Sequence, residues 1–553
     1  MTALRAGGDD DAEPGDRAAR RARGVYFTPA PLAREVARAV LAPLVAGSGP
    51  LRILDPAAGD GRFLAAARDV VAAAGAADRA VLVGVERDPA LAAAARARVP
   101  GARIVVGESL LEAPPEAGAA DAVIGNPPYV RSIRLRRADP ALWTALRGRL
   151  AATSHGEWDL YAAFIERALD WVRPGGRVGL VVPSRWLTAA FAARLRAHLA
   201  AAGAVRAIVD FGAEQVFPGA TTYASVILLE RSLPLPLPLP LPLPLPDLSI
   251  SVARLSPSGW DTGTLPAASL ASAPWRFAVG AAARACEGVA GRGPRLGDVA
   301  RIAKGAGTNA DGVFVIEDAR LDGPLVRGRG LGGDVAVEAS ATRPCLRGRD
   351  VAAWARVDVA APHPRCIVPY DGDRLVPWRE LQRRAPRAAA HLAAHRDRLE
   401  AREDGRFTGA VFHAFGRPQN LVFHADVAPK VVVPDVARVG RAMLDAGGAL
   451  VLDSAYAARP LPSAPAPFAD PLLYLLVLDS PMVALWLSWA GVPLRGGYVR
   501  LKTAFLSPLP MPPPGPALDE ALRLARAGDR LAARAALGEA YAIDPALWTG
   551  APA

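Results

Sequence analysis

Cysteine is almost absent. Only Cys286, Cys345 and Cys366 occur in 553 residues, and no two form a C-x-x-C pair. That excludes a disulfide scaffold and argues against a cysteine-built zinc centre. The seven histidines show no metal-ligand spacing, so no metal is expected. Lysine is as scarce: Lys304, Lys430 and Lys502 are the only three, and arginine makes up the rest of the 65 basic residues. With alanine abundant throughout, this looks like the coding bias of a GC-rich genome, so arginine abundance alone says little. Against 54 acidic residues the net charge is +11, spread evenly along the chain. Such a balance permits a polyanionic partner without showing one. Long uninterrupted apolar runs are missing as well. Leu472–Leu494 is broken by Asp479, Pro481 and Pro493, which favours a buried helix pair over a membrane span. Met1–Arg23 is polar and charged, with no apolar core of a secretory signal. A cytoplasmic protein without membrane contact is expected.

What is present is a globular composition, 51% hydrophobic, long enough for two to four domains. Residues 1–23 read as a disordered charged tail. From residue 24, short β-branched runs alternate with helical stretches. The strand-like runs are Leu51–Leu54, Val81–Val85, Arg103–Val106, Ala122–Ile124, Val178–Val182, Ala207–Phe211 and Tyr223–Glu230. Phe63–Ala74, Ala90–Arg98, Leu160–Val172 and Ala189–Ala201 read as helices between them. That rhythm predicts an α/β fold with a doubly wound, mostly parallel sheet, whose ligands sit at the carboxyl ends of the strands. Leu233–Pro246 is seven Leu-Pro repeats. It is expected as an extended loop or linker of roughly 43 Å at ~3.1 Å per residue. A ligand for a proline-reading domain is the functional alternative, and dinucleotide slippage the neutral one. Beyond it, residues 247–286 close the first domain. Residues 287–515 form a mixed, irregular domain with short strands such as Gly312–Ile316 and Lys430–Pro434, and 516–553 a helical tail.

Four segments carry chemistry. In Ile53–Leu64 an apolar strand ends at Asp55 and turns through Gly59-Asp60-Gly61 into a helix. The glycines allow a ligand close to the backbone, and Asp55 and Asp60 can accept its hydrogen bonds. A phosphate-binding loop would want a third glycine where Leu64 stands, and two carboxylates would repel a pyrophosphate. Glu86, 25 residues after Gly61, ends the next strand, where an acidic residue commonly holds ribose hydroxyls. Glu108 or Ser109, after a third strand, can meet an adenine edge. The sharpest signal is Ile124-Gly125-Asn126-Pro127-Pro128-Tyr129. Successive prolines fix the backbone and remove two donors. The Asn126 side-chain oxygen and the Pro127 carbonyl can then accept from one exocyclic NH2, with the Tyr129 ring as a stacking face.

With Gly24-Val25-Tyr26-Phe27-Thr28-Pro29 upstream, these segments resemble the gamma, TaqI-like group of S-adenosyl-L-methionine-dependent N6-adenine DNA methyltransferases of restriction-modification type. The resemblance covers about residues 24–515. It implies a Rossmann-like methyltransferase domain at 24–232 followed by a target-recognition domain. By it, Tyr26, Thr28 and Pro29 border the methionine part of the donor, Asp55, Ala57 and Gly59 form its loop, Glu86 holds the ribose, and Glu108 takes the usual Asp position near the adenine. Asn126, Pro127 and Tyr129 become the catalytic set. Phe217, in Val216-Phe217-Pro218-Gly219, would stack on the extruded base, a buried core phenylalanine being the alternative. Lys304-Gly305-Ala306-Gly307-Thr308-Asn309, Pro344–Asp350 and Arg495-Gly496-Gly497-Tyr498 look like landmarks of the recognition domain, and nominate Lys304, Arg347 and Arg349 as DNA contacts. Two departures stand out: Glu108 for Asp, and the Leu-Pro tract.

The mechanism implied is extrusion of an adenine from double-stranded DNA, at a cost of a few kcal/mol that aromatic stacking offsets, and direct transfer without a covalent enzyme intermediate. Arg131, Arg134, Arg136 and Arg137 follow the catalytic turn as a loop gripping phosphates would, a solvated face being the plainer reading. Arg379–Arg398 reads as a helix surface. A monomer is expected, with any restriction endonuclease encoded separately. Methylation of a protein glutamine or of RNA, and a catalytically silent DNA-binding scaffold, remain the rival functions.

Overall fold

The computed structural model describes residues 26–217, 223–233, 249–256, 259–271, 274–356, 363–438, 440–491 and 493–550. The charged tail, Gly24, Val25, Pro218, Gly219 and Leu-Pro positions 234–246 lie outside them. The chain divides into two compact units at Gly280/Ala281.

The first unit is a nine-stranded sheet. Its strands are β1 (Leu51–Asp55), β2 (Ala80–Glu86), β3 (Arg103–Val106), β4 (Ala120–Gly125), β5 (Val172–Pro183), β6 (Val205–Asp210), β7 (Ala224–Glu230), β8 (Ser249–Ser256) and β9 (Gly259–Pro266), in the spatial order 3-2-1-4-5-7-6-8-9. Strands 3, 2, 1, 4 and 5 are parallel, and β7 runs antiparallel to both neighbours. Side chains alternate across the sheet. Ile53 packs with α1 (Ala30–Leu41) and α2 (Arg62–Ala73) on one face, while Leu54 joins the core around helix Leu160–Trp171 on the other. Both faces are therefore covered, which explains the near-continuous apolar runs of the strands. This is the Rossmann-like, doubly wound α/β fold that the sequence led us to expect. The strand order reverses between β1 and β4, and a crevice opens there at their carboxyl ends.

Most expected elements recur within one or two residues; β5 begins at Val172, six residues ahead of the expected Val178, and three further differences stand out. The helix expected from Ala189 starts at Ala193, after a single 3-10 turn at Ala190–Ala192. The β8–β9 hairpin extends the same sheet, β8 lying parallel to β6. The Leu-Pro tract thus joins two strands of one sheet, β7 and β8, and does not bridge the two units.

The second unit holds a five-stranded and a six-stranded sheet, plus smaller ones. Lys430–Pro434 is a strand in the five-stranded sheet, flanked by Ala455–Pro460 and Met443–Asp445. Residues 312–314, the start of an expected strand, fall in the helical turn Asp311–Phe314, and the strand begins at Val315. Helices Pro471–Leu478 and Pro481–Ala490 bend by 65° at Asp479-Ser480 and are almost wholly buried. No single helix among the described residues is long and apolar enough to cross a membrane. Helices Pro516–Arg526 and Arg530–Tyr541 bury Leu518, Leu522, Leu537 and Tyr541 in this unit's core, so residues 516–550 are an integral layer where a tail was expected.

Candidate active site

A cavity of about 610 Å³ opens at the carboxyl ends of β1, β2 and β4, within the size range of small-molecule sites. Asp55 lies at its floor, 1% exposed. A Cβ on Gly125 would stand 2.7 Å from Asp55 Oδ1, so only glycine lets β4 pass the carboxyl. Asp55 Oδ1 accepts the Ala57 N–H at 3.1 Å. Burial, reinforced by the charges of Glu86 and Asp60 and opposed by that hydrogen bond, pushes its carboxyl up to about 8. Glu86 accepts the Gly59 N–H at 2.8 Å on one oxygen and the Asp88 N–H at 2.9 Å on the other. The turn between needs Gly59 and Gly61 at φ of +55° and +84°. Two carboxyls thus face one cavity, and no ion pair engages either among the described residues.

Neighbouring acidic residues are used differently. Asp60 Oδ2 takes Arg62 Nε and Arg98 Nη2, both at 2.9 Å, which braces the loop, and the residue also lines the cavity. Ser109 is buried, lines the cavity and donates its hydroxyl to the Pro56 carbonyl at 2.7 Å, which leaves it only an acceptor for a ligand. Glu108 lines the cavity, accepts the Leu110 N–H at 3.0 Å and pairs with Arg87 at 3.2 Å. Burial still holds its ionisation above the ordinary range, the Leu110 N–H and Arg87 opposing. Tyr26, Thr28, Ala57 and Gly59 also line the cavity, whereas Pro29 caps α1. Phe27, with Arg62 over its ring at 5.1 Å, lines it too and was not singled out by the sequence.

Asn126 follows β4 directly. Its amide nitrogen donates to the Tyr26 carbonyl at 2.8 Å and to Thr28 Oγ1 at 3.0 Å. A carbonyl can only accept, so the amide cannot be flipped. Among the described residues its Oδ1 is then left buried with no hydrogen-bond partner. Pro127 beside it is buried. Tyr129 stacks on Tyr26, centroids 5.1 Å apart at 29°, and meets Phe217 and Tyr161 edge-on at 6.0 Å each. Its hydroxyl reaches the Val181 carbonyl at 3.4 Å. Burial, with the Tyr26 hydroxyl adding and the Asn126 side chain opposing, raises its ionisation well above the phenol range. Phe217 is 2% exposed, so it is both a core side chain and a wall of this aromatic cluster. Tyr161, likewise unforeseen, has a buried hydroxyl without a partner among the described residues.

Arg131, Arg134, Arg136 and Arg137 are all exposed on and before helix Ser132–Ala138, with Arg136 over the Trp143 ring at 5.1 Å. In the second unit, Arg347 contradicts its assignment. It is 6% exposed and binds Glu317 (Nη2–Oε2 3.0 Å) and Asp350 (Nε–Oδ2 2.8 Å), which consumes its donors inside the fold. Arg349 is exposed but pairs with Glu317 at 2.8 Å. Lys304 is half-buried, and its carbonyl accepts from Asn420 and His424.

Residues 107–217, which carry Glu108, Asn126–Tyr129 and Phe217, match the family model described as Eco57I restriction-modification methylase. The chain is 37% identical over 179 residues to the Type II methyltransferase M.TthHB8I of Thermus thermophilus, covering 32% of this chain and 39% of that protein. It is 31% identical over 228 residues to the Type II methyltransferase M.XamI of Xanthomonas campestris pv. amaranthicola, covering 38% of this chain and 39% of that protein. The chain thus spans about two fifths of the length of these two relatives. Among solved structures it resembles the Type IIL restriction-modification enzyme MmeI, solved in complex with DNA, with a TM-score of 0.54 and 13% identity. That likeness covers 92% of this chain and 72% of the other, and shows a shared fold.

Proposed function

We propose that this chain is the modification enzyme of a restriction-modification pair, transferring a methyl group from S-adenosyl-L-methionine to N6 of an adenine extruded from double-stranded DNA. The observation that carries the reading is the orphaned Asn126 Oδ1. A buried acceptor without a donor costs about 1–3 kcal/mol, and a substrate amine repays it. Tyr26 and Thr28 fix which atom of the amide is offered. The Pro127 carbonyl is the second acceptor in this reading, and together the two orient the amine nitrogen toward the donor cavity. Holding that nitrogen in attack geometry supplies much of the acceleration.

The donor set fits the cofactor. Asp55 and Glu86 face the cavity without a cation, which suits an ammonium and a sulfonium, and the second carboxylate suits ribose hydroxyls. When bound, the cofactor supplies an electrophilic methyl on a sulfonium. Tyr26 covers one face of Tyr129, so an entering base displaces it or uses the opposite face, with Phe217 as the flanking wall. The Type II methyltransferase relatives support DNA as substrate. Expression in methylation-free bacteria followed by sequencing for modified adenines tests the reading. N6-methyladenine in a defined sequence context supports it. Unmodified DNA, with methyl transfer to RNA or to a protein glutamine instead, overturns it.

A further inference from the structure

Arg185 belongs to none of the sequence motifs, yet the fold sets it beside the aromatic cluster. It stands in the short turn Ser184–Leu187 that follows β5. β5 is parallel to β4, with Leu180 opposite Gly125, so Arg185 and the Asn126–Tyr129 segment both follow the carboxyl ends of these neighbouring strands. The turn is anchored on both sides: Ser184 N–H donates to the Tyr223 carbonyl at 2.9 Å, and buried Trp186 donates to Ser225 Oγ at 3.3 Å. Arg185 itself is exposed. Its guanidinium lies 5.6 Å from the Phe191 ring centre. Phe191 meets Tyr161 edge-on at 6.4 Å, and Tyr161 meets Tyr129 at 6.0 Å. A continuous run of ring contacts thus joins this arginine to the ring that would hold the base.

A second arginine arrives from the β4 side. Arg131, two residues after Tyr129, bridges backbone-to-backbone with Asp159. The flanking bonds, Leu160 N–H to Val130 carbonyl at 2.8 Å and Ser132 N–H to Trp158 carbonyl at 2.7 Å, pin its loop. Asp159 is buried, and burial raises its carboxyl while Arg185 and Arg131 both draw it back and Glu157 opposes them. Asp159 thus stands within electrostatic reach of both guanidiniums, with the Glu157 carboxylate also in range.

We propose that Arg131 and Arg185 form a two-point clamp on the backbone phosphates flanking the extruded nucleotide, with Phe191 holding Arg185 in aim. The proposal rests on the reading of Asn126–Tyr129 as a base-accepting site. Arginine suits the task because its planar fork binds phosphate oxygens bidentately. Such contacts fix register on the duplex and read no sequence. Arg185 is therefore a positioning residue.

The test uses the full-length protein and a duplex bearing the site mapped by sequencing, with methylphosphonate replacing single phosphates beside the target adenine. For the parent, at least one replacement should weaken binding roughly tenfold, the scale of one charge-assisted hydrogen bond. The same replacement should leave Arg185→Gln or Arg131→Gln unaffected. Each variant should lower the salt dependence of binding by about 0.9 in log–log slope for every phosphate it no longer neutralises. Both should raise KM for DNA while leaving donor affinity unchanged, and Arg185→Lys should recover part of the slope. A parent indifferent to every flanking replacement overturns the clamp without reliance on any variant folding. Equal sensitivity of parent and Arg185→Gln overturns it too. A parent that methylates no DNA removes the base-accepting reading on which it stands, and that failure appears earlier, at the mapping step.

Discussion

Asp55 in the first unit and Asp445 in the second are both fully buried carboxyls, 1% and 0% exposed. Asp445 has the Lys430 ammonium at 2.6 Å and the N–H groups of Gly447 and Ala449 at 2.9 and 3.0 Å. Lys430 in turn donates to the His424 carbonyl at 3.2 Å. Asp55 has one backbone N–H and, as its electrostatic neighbours, two more carboxylates. The first arrangement closes on itself and needs nothing further. The second faces a cavity and lacks the cation that would justify burying it. Buried polarity that is completed internally belongs to the fold, and buried polarity left incomplete beside a cavity marks a ligand. Asn126 Oδ1 obeys the same rule, as does Arg347, whose donors end inside the second unit.

Variants can break this contrast from either side. The largest effect is expected at the closed pair. Lys430→Met strands Asp445 and should cost about 3–5 kcal/mol of stability, with Lys430→Met/Asp445→Leu recovering most of it, as read from urea unfolding. A loss below about 1 kcal/mol would mean that the pair is not what completes the core. Glu86→Ala, on the open side, should instead weaken donor binding by about 1.5–3 kcal/mol in calorimetry, with a smaller fall in turnover at saturating donor. Asp55→Asn sharpens the comparison through pH. Burial raises the Asp55 carboxyl to about 8. The folded chain therefore keeps a proton that the unfolded chain releases above about 4, and Asp55 lowers stability as pH rises from about 4 to about 8. Asp55→Asn should be more stable than the parent at pH 8.5 by up to about 5 kcal/mol, ~1.36 kcal/mol for each unit of that rise, with little difference at pH 4, while losing donor affinity. Urea midpoints at the two pH values measure it. The smallest effect is expected at the Leu-Pro tract. Loop closure changes by only about 0.6 kcal/mol per doubling of length, so removing two repeats should alter urea midpoint and activity little.

The open side was the more legible from sequence. Asp55, Glu86 and Asn126 each end an apolar strand, and a strand end in a doubly wound sheet has a fixed address. Local pattern therefore translated directly into position. The closed side was not legible, because an ion pair such as Arg347 with Glu317 joins residues whose proximity only the tertiary fold creates. Against an arginine-rich background, nothing local separates Arg347 from an exposed Arg134. The bonds of Asp60 and Ser109 were hidden for the same reason: their partners, Arg98 and the Pro56 carbonyl, lie 38 and 53 residues away. The β8–β9 hairpin was missed because no position of β9 is buried and its residues, Gly259 to Pro266, are mostly small or polar. The amphipathic helices 516–526 and 530–541 were legible as helices, but the surface that buries Leu518 and Leu537 is not written in their own residues.

The most direct measurement separates donor binding from chemistry in Asn126→Ala. This variant removes the orphaned acceptor and touches neither Asp55 nor Glu86. Calorimetry with S-adenosyl-L-methionine should show affinity close to the parent's. Methyl transfer to the mapped duplex should fall by at least about 100-fold, roughly 2.7 kcal/mol of transition-state stabilisation. Transfer to adenine at near the parent rate would contradict the assignment of Asn126 as the amine acceptor, and with it the account of this site.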